Sequence, residues 1–280
     1  MQNQAIYIVS QAIRYIEDNL HNNLDLDIVS GALHYSKYYL CRIFTKTAGL
    51  TIHNYIKRRQ LTEAAKLLVF SKKTVIEIAI ISGYKSQQAF TDIFKAMYKT
   101  SPAEFRKTGK FYPLQLEIQL KNPPSNMDLK KDDIVFATYA DVEDWMELAS
   151  QAADGYPGLD QAAYINKLHQ YINLERALIL RNGDITSGIM GFSAGTGNID
   201  FLAVHPQYRH LGIEKLFIKK LLDGLLYNRE ITLTTFRAGD KADTGYREKY
   251  CQLGFEEREL LVEYGYPVQR FVFNPEKGGI

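Results

Sequence analysis

The chain is predicted to fold as two domains: an all-α domain built on a duplicated helix-turn-helix, then an α/β (α+β) domain with a mixed central sheet. Three observations carry that prediction. Apolar residues recur at helical spacing through about residue 106, whereas from Asp133 onward strand-like and helical patterns interleave. A pattern met near residue 27 returns fifty residues later, which marks an internal duplication. Charge is also divided, because residues 1–110 hold 16 Lys and Arg against 8 Asp and Glu, a net +8, while residues 111–280 hold 18 against 24, a net −6.

Composition sets the outer bounds. With 280 residues, 46% hydrophobic and 24% charged, the chain is ordinary globular material of a length that suits two domains. No apolar run approaches a membrane span and the first twenty residues lack a signal-peptide pattern, so a cytoplasmic protein without a membrane partner is expected. The two cysteines, Cys41 and Cys251, fall in different domains, which argues against a disulfide framework, and neither has metal-ligand spacing to a histidine, so no metal site is expected. A basic half of this kind suits a polyanion.

Val9, Ala12, Ile13, Ile16 and Leu20 form the stripe of an opening helix that Asn22 and Asn23 end. Asp27, Ile28, Ser36, Leu40, Ile43 and Phe44 correspond to Glu77, Ile78, Ser86, Phe90, Ile93 and Phe94. In the second copy a short helix stops at Ser82 and Gly83. The next helix packs through Phe90, Ile93, Phe94 and Met97 and leaves Gln87, Gln88, Thr91, Asp92 and Lys95 on its other side. The matching face of the first copy is Lys37, Tyr38, Cys41, Arg42 and Thr45. Thr51 to Phe70 is one helix that holds the two reading helices at a fixed separation, and successive major-groove segments recur about every 34 to 36 Å on one face of a duplex.

Residues 6 to 106 resemble the DNA-binding domain of the AraC/XylS transcription regulators. The resemblance rests on Ile78-Ala79, Gly83-Tyr84, Phe90, Phe94-Lys95 and Ser101-Pro102 through Phe105-Arg106, with Lys99 and Ile52 departing at loop positions. It implies double-stranded DNA as partner, with Lys37, Tyr38, Cys41, Arg42, Gln87, Gln88, Thr91, Asp92 and Lys95 as the DNA-binding set. From side-chain chemistry, Arg42 suits guanine, Gln87 or Gln88 adenine and Asp92 cytosine, Tyr38 and Thr91 suit thymine methyls or phosphates, and Lys37, Lys46, Lys85 and Lys95 suit phosphates.

After Lys107, a stretch with Gly109, Pro113 and Asn122-Pro123-Pro124-Ser125 is expected to be a linker, in which Leu114, Leu116, Ile118 and Leu120 alternate like a short strand. The expected divisions are 1–107, a linker 108–127, and 128–280. The second domain is then expected to run through strand Ile134 to Tyr139, a helix from Asp141 burying Trp145 and Leu148, a helix Leu159 to Leu174, and strands Ala177 to Leu180 and Ile185 to Phe192 joined at Asn182-Gly183. Strand Ile199 to Val204, helix Gly212 to Tyr227, strand Ile231 to Phe236, helix Thr244 to Leu253, and strands near Leu260 to Glu263 and Gln269 to Phe273 follow. Where the fourth of these strands, counting from Ile134, turns into its helix, backbone N–H groups beside Gly212 could cradle a phosphate or simply form a tight turn.

Val204-His205-Pro206, Arg209-x-x-Gly212 and Tyr250-x-x-x-Gly254-Phe255 resemble the acetyl-CoA motifs of the GNAT N-acetyltransferases. The resemblance implies a GNAT-like acyl-CoA-binding domain using acetyl-CoA as co-substrate, its arm lying along Leu202, Ala203 and Val204 and its diphosphate held by amides of Arg209, His210, Leu211, Gly212, Ile213 and Glu214. Tyr250 would be the general acid at the leaving thiolate. Asp200 is a candidate base toward a small amine or a protein lysine. Glu214 stands where that family has glycine or alanine, and its carboxylate is expected to repel the anion. A non-catalytic ligand sensor or a homodimerisation module remains the alternative.

Overall fold

In a computed structural model of the chain, which describes residues 2–122, 129–152, 161–227 and 229–276, the stripe Val9, Ala12, Ile13 and Ile16 is buried along helix α1 (Gln2–Asp18). The helix ends at Asp18, earlier than Asn22, because Asn19 and Asn22 already turn the chain. Helices α2 (Leu26–Ala32) and α3 (Lys37–Ala48) form the first helix-turn-helix, α4 (Ile52–Phe70) is the connector, α5 (Val75–Ile81) and α6 (Gln87–Tyr98) form the second, and α7 (Pro102–Thr108) closes it. From α2 to α7 every helix opens on a side-chain cap, in order Asp25, Ser36, Thr51, Thr74, Ser86 and Ser101, each accepting a first-turn N–H. Thr74 with Glu77 and Ser101 with Glu104 complete capping boxes. These local bonds explain why boundaries inside this half follow the sequence so closely.

The duplication is not in one register. The reading helices repeat at fifty residues, but α2 and α5 repeat at forty-nine: Val29 and Ile78 are the matching buried positions, and His34 (φ 57°) and Gly83 (φ 81°) share the left-handed turn. Equating Asp27 and Ile28 with Glu77 and Ile78 is therefore one residue out, and the extra residue lies in the second turn. Glycine at position 83 also answers to space, since a Cβ there would sit 3.0 Å from the Asn22 carbonyl oxygen. Gln60 of α4 donates to the carbonyls of Leu20 and Asn22, both at 3.1 Å, so the connector is tied to the end of α1 beside the second turn.

Residues 110–122 belong to this helical unit. Leu114 to Leu120 forms no helix or strand, and it does not add to the second unit's sheet. Its backbone is instead held by α4: the Thr62 hydroxyl accepts from the N–H groups of Leu114 (3.0 Å) and Gln115 (3.2 Å), while Arg58 and Arg59 donate to their carbonyls at 2.9 and 3.2 Å. Ile118 is buried against α1 and α4. A buried backbone needs partners, and side chains on a helix supply them here as a neighbouring strand would. The expected division at residues 127 and 128 and the Pro123-Pro124-Ser125 stretch lie outside the described residues.

The second unit is a seven-stranded sheet in the order β1-β2-β3-β4-β5-β7-β6, antiparallel except between β4 and β5. Its strands are β1 (Ile134–Phe136), β2 (Ala177–Asn182), β3 (Ile185–Ser193), β4 (Asn198–Val204), β5 (Ile231–Phe236), β6 (Glu256–Glu263) and β7 (Tyr266–Phe273). Strand β1 ends at Phe136 because a 3-10 turn takes Tyr139–Asp141. Helices α8 (Val142–Ala152) and α9 (Gln161–Asn173) cover one face through Trp145, Leu148 and Leu168; the predicted start at Leu159 lies outside the described residues. On the other face, α10 (Ile213–Lys220) packs through Ile213 and Phe217, while α11 (Tyr246–Gln252) contributes Tyr250 to the same core. The helix expected from Gly212 to Tyr227 is divided, because α10 ends at Lys220 and a π turn covers Leu221–Leu225; a 3-10 helix, Pro206–Leu211, precedes it. Strand β3 admits α10 closely at Gly188, where a Cβ would come within 2.6 Å of the Phe217 ring.

Candidate nucleic-acid interface and candidate ligand cleft

Helix α3 turns Leu40 and Phe44 inward, so that Lys37, Tyr38, Arg42, Thr45 and Lys46 lie exposed, with Tyr38 at 79%. Helix α6 buries Phe90, Phe94 and Met97 and exposes Gln87, Gln88, Asp92 and Lys95. Aromatic rings fix it from behind, with Phe94 stacked on Tyr98 at 4.4 Å and Phe105 edge-on to Phe94 at 5.4 Å. The two predicted reading faces are thus each brought together and open, whereas Cys41 and Thr91 are half-buried at their margins. Both reading helices sit in one unit with the connector α4.

Internal bonds within the faces could not be found from spacing alone. Lys37 pairs with Asp27 at 2.6 Å, both exposed, so its charge is shared before any phosphate arrives. Gln88 donates its amide N–H to an Asp92 oxygen at 2.8 Å. That bond takes one of the two Gln88 amide N–H groups and leaves the other N–H and the carbonyl oxygen. Arg42, at the position equivalent to Asp92, keeps the first face strongly basic.

Buried polar groups stabilise the scaffold behind these faces. Arg59, on α4, donates to both Glu17 oxygens at 2.7 to 3.1 Å and reaches Glu63 at 3.1 Å, and the Tyr55 hydroxyl donates to Glu17 at 2.6 Å. Burial pushes the Tyr55 phenol far above its ordinary range, and the Glu17 charge adds to it. Removing Arg59 would leave the Glu17 charge in the interior without its cation.

In the second unit, Leu202, Ala203 and Val204 lie on β4, paired with Met190, Ile189 and Gly188 of β3. On its other side β4 meets β5 only at Asn198 and Thr232, so the ladder is confined to the starts of the two strands. After β4 the 3-10 turn carries Arg209, His210 and Leu211 to Gly212, whose left-handed φ of 69° begins α10 without any side-chain cap. His210 and Leu211 are exposed, whereas Ile213 is a core residue. Arg209 lies over the Tyr246 ring at 5.5 Å.

Glu214 differs from expectation. It is 1% exposed and forms an ion pair with Lys249, whose ammonium also donates to the Arg209 carbonyl at 2.9 Å. Its charge is matched inside the fold, so it does not stand bare toward the turn. Lys249 had no signal in the sequence beyond adjacency to Tyr250. Tyr250 itself is 6% exposed and packs edge-on to Phe255 at 5.7 Å; burial, with the Glu214 charge behind it, holds its phenol well above the ordinary value and so protonated. Asp200 is held by the Ser193 hydroxyl at 2.5 Å and the Asn198 amide at 2.8 Å. The Tyr171 phenol is raised by burial first and by the Asp200 charge. Tyr250 and Asp200 are both in the second unit, and each is already engaged by neighbours. Among the described residues no group of His, Cys, Asp and Glu could hold a metal ion, and no helix is long and apolar enough to cross a membrane.

Comparison with known proteins adds the following. A family model described as a helix-turn-helix domain matches residues 29–108. The Transposon Tn10 TetD protein of Escherichia coli is 40% identical over 108 residues, covering 39% of this chain and 78% of TetD. The HTH-type transcriptional activator AarP of Providencia stuartii is 39% identical over 105 residues (38% and 78%), and the multiple antibiotic resistance protein MarA of Escherichia coli K12 is 35% identical over 108 (39% and 85%). A solved GNAT-family acetyltransferase from Bacillus cereus aligns with 50% of this chain and 95% of its own at a TM-score of 0.40 and 14% identity, which carries no argument.

Proposed function

The chain belongs to the AraC-type helix-turn-helix transcription regulators, sequence-specific DNA-binding proteins, and from that premise we propose that its second domain is GNAT-like, binding acyl-CoA and acetylating or sensing a small amine. The observation that carries the DNA half is the pair of exposed reading helices α3 and α6 within one unit built on α4. Basic side chains on α3 suit phosphate and guanine, and a helix presented in this way fits a major groove. In a binding assay on mixed-sequence duplexes, Arg42→Ala is expected to relax preference at one base pair, and Lys95→Ala to weaken all duplexes alike. Equal, sequence-blind losses for both would refute the assignment of the faces.

The short ladder between β4 and β5 supports the acyl-CoA reading. Strands that pair only at Asn198 and Thr232 leave the rest of the β4 edge without a ladder to β5, and an amide-bearing extended arm matches such an edge in the way an added strand would. The uncapped start of α10 lies just beyond β4 and offers N–H groups toward an anion. Acetyl-CoA supplies the acyl group and the thiolate leaving group. Tyr250, kept protonated by its surroundings, is the donor available to such a thiolate, and Asp200 the acceptor for an amine proton. The burial of Tyr250 and the two hydrogen bonds that occupy Asp200 favour the second reading, a sensor that binds without turnover. Calorimetry of the full chain with CoA and acetyl-CoA tests binding, and CoA release with a panel of amines tests turnover, with Tyr250→Phe as control. Absence of any binding heat at millimolar CoA would end both versions.

A further inference from the structure

Helix α6 carries an acid where α3 carries a base. The fifty-residue repeat puts Arg42 opposite Asp92 and Tyr38 opposite Gln88. A carboxylate on a face meant for a polyanion is unfavourable unless it serves another group. In the structure Asp92 serves Gln88, whose amide donates one N–H to an Asp92 oxygen at 2.8 Å. One turn of helix separates the two residues, so they meet along the same exposed ridge, and the buried rings of Phe90 and Phe94 fix that ridge from behind.

We propose that Asp92 is a positioning residue for Gln88: it holds the amide in the orientation that selects adenine in the half-site read by α6. The proposal rests on the assignment of α6 as a DNA-reading helix. An ionised carboxylate only accepts, so the glutamine turns its nitrogen toward Asp92 and its carbonyl oxygen away. Of the two amide N–H groups, the one on the carbonyl side would set the carboxylate beside that oxygen, and the two would repel. The N–H on the opposite side carries no such cost. Given to Asp92, it leaves the carbonyl oxygen and the N–H next to it, an acceptor and a donor on one edge, which match N6–H and N7 of adenine. Guanine sets its O6 against the same carbonyl oxygen and is disfavoured. Tyr38 and Arg42 have no amide to orient, so the device belongs to the second copy alone. The Asp92 charge also disfavours phosphate at every sequence alike, so one residue lowers affinity while it sharpens choice.

The test is selection of bound duplexes from a randomised pool by the full chain and its variants, followed by binding to the selected duplex and to its single-base changes. Gln88→Ala identifies the base pair that Gln88 reads, where a preference for adenine of roughly five- to a hundredfold is expected to vanish. Asp92→Ala is expected to lower the preference at that same base pair by about two- to tenfold, between the worth of an exposed helical pair and that of a charge-assisted hydrogen bond out of water. Binding to mismatched duplexes is expected to rise in the same variant, an opposite sign that loss of structure would not give. Asp92→Asn keeps an oxygen for the amide and should retain most of the preference, and in a Gln88→Ala chain Asp92→Ala should change no base preference. Both residues are exposed, and matching thermal unfolding of the variants checks that the fold is kept. An unchanged adenine preference in Asp92→Ala, or a change confined to a different base pair, would overturn the proposal, the second outcome making Asp92 a reader in its own right. Enrichment of no motif by the native chain would instead remove the DNA-reading premise itself, and the proposal with it.

Discussion

Thr62→Val offers a sharp perturbation of the helical unit, because it changes one oxygen to a methyl at nearly constant volume in a position 1% exposed. The Thr62 hydroxyl accepts from two backbone N–H groups, those of Leu114 and Gln115. Removing it leaves both N–H groups buried without their acceptor, at about 1 to 3 kcal/mol each. Some relaxation toward water is available at the segment's edge, so a loss of about 2 to 4 kcal/mol is expected, a large share of the ~5 to 15 kcal/mol by which domains are stable. Urea unfolding of the full chain, followed by a signal from the helical unit, should show a lower midpoint at an unchanged slope. Thr62→Ser retains the oxygen and should recover most of the loss. A Thr62→Val change below about 0.5 kcal/mol would mean that residues 110–122 are not held on α4, and the account of that segment would fail.

Gly83→Ala places a Cβ at φ 81° and 3.0 Å from the Asn22 carbonyl oxygen; a loss of about 1 to 3 kcal/mol is expected, whereas an unchanged melting temperature would mean the turn relaxes freely. Lys249→Met strips the partner from Glu214, a carboxylate 1% exposed, so the second unit should lose about 3 to 5 kcal/mol; the double change with Glu214→Gln should recover much of it, and additive losses would contradict the pairing. Burial alone would raise the Asp141 carboxyl, but the Arg181 guanidinium at 2.5 Å and the Thr138 hydroxyl and N–H outweigh it and hold it below its ordinary value. A depressed folded value means that its contribution is present above about pH 4, the unfolded value, and is lost as pH falls through the folded one. Denaturant midpoints measured from about pH 5 to pH 2 should therefore fall for the native chain and fall less for Arg181→Met, and equal slopes would remove Asp141 from the acid response.

By itself the sequence determined the helical half almost to the residue, because the information is local there: capping side chains such as Thr74 and Ser101 sit beside the helices they start, and Phe90, Phe94 and Met97 repeat at the period that buries them. The reading faces follow as whatever that period leaves outside. The strands of the second unit were legible for the same reason, through alternation and the Asn182-Gly183 turn. Tertiary structure alone decided what depends on residues far apart. The segment 114–120 could not be assigned to a sheet or to solvent until Thr62, Arg58 and Arg59, over fifty positions away, were seen to satisfy the backbone of Leu114 and Gln115. Glu214 read as a bare charge until Lys249 came to meet it. The forty-nine-residue offset of the short helices was hidden because a one-residue slip in a turn changes no period; it emerged only where His34 and Gly83 took the same left-handed conformation. Period and capping travel along the chain, whereas charge compensation and backbone satisfaction act through space, and only the folded coordinates hold the second kind.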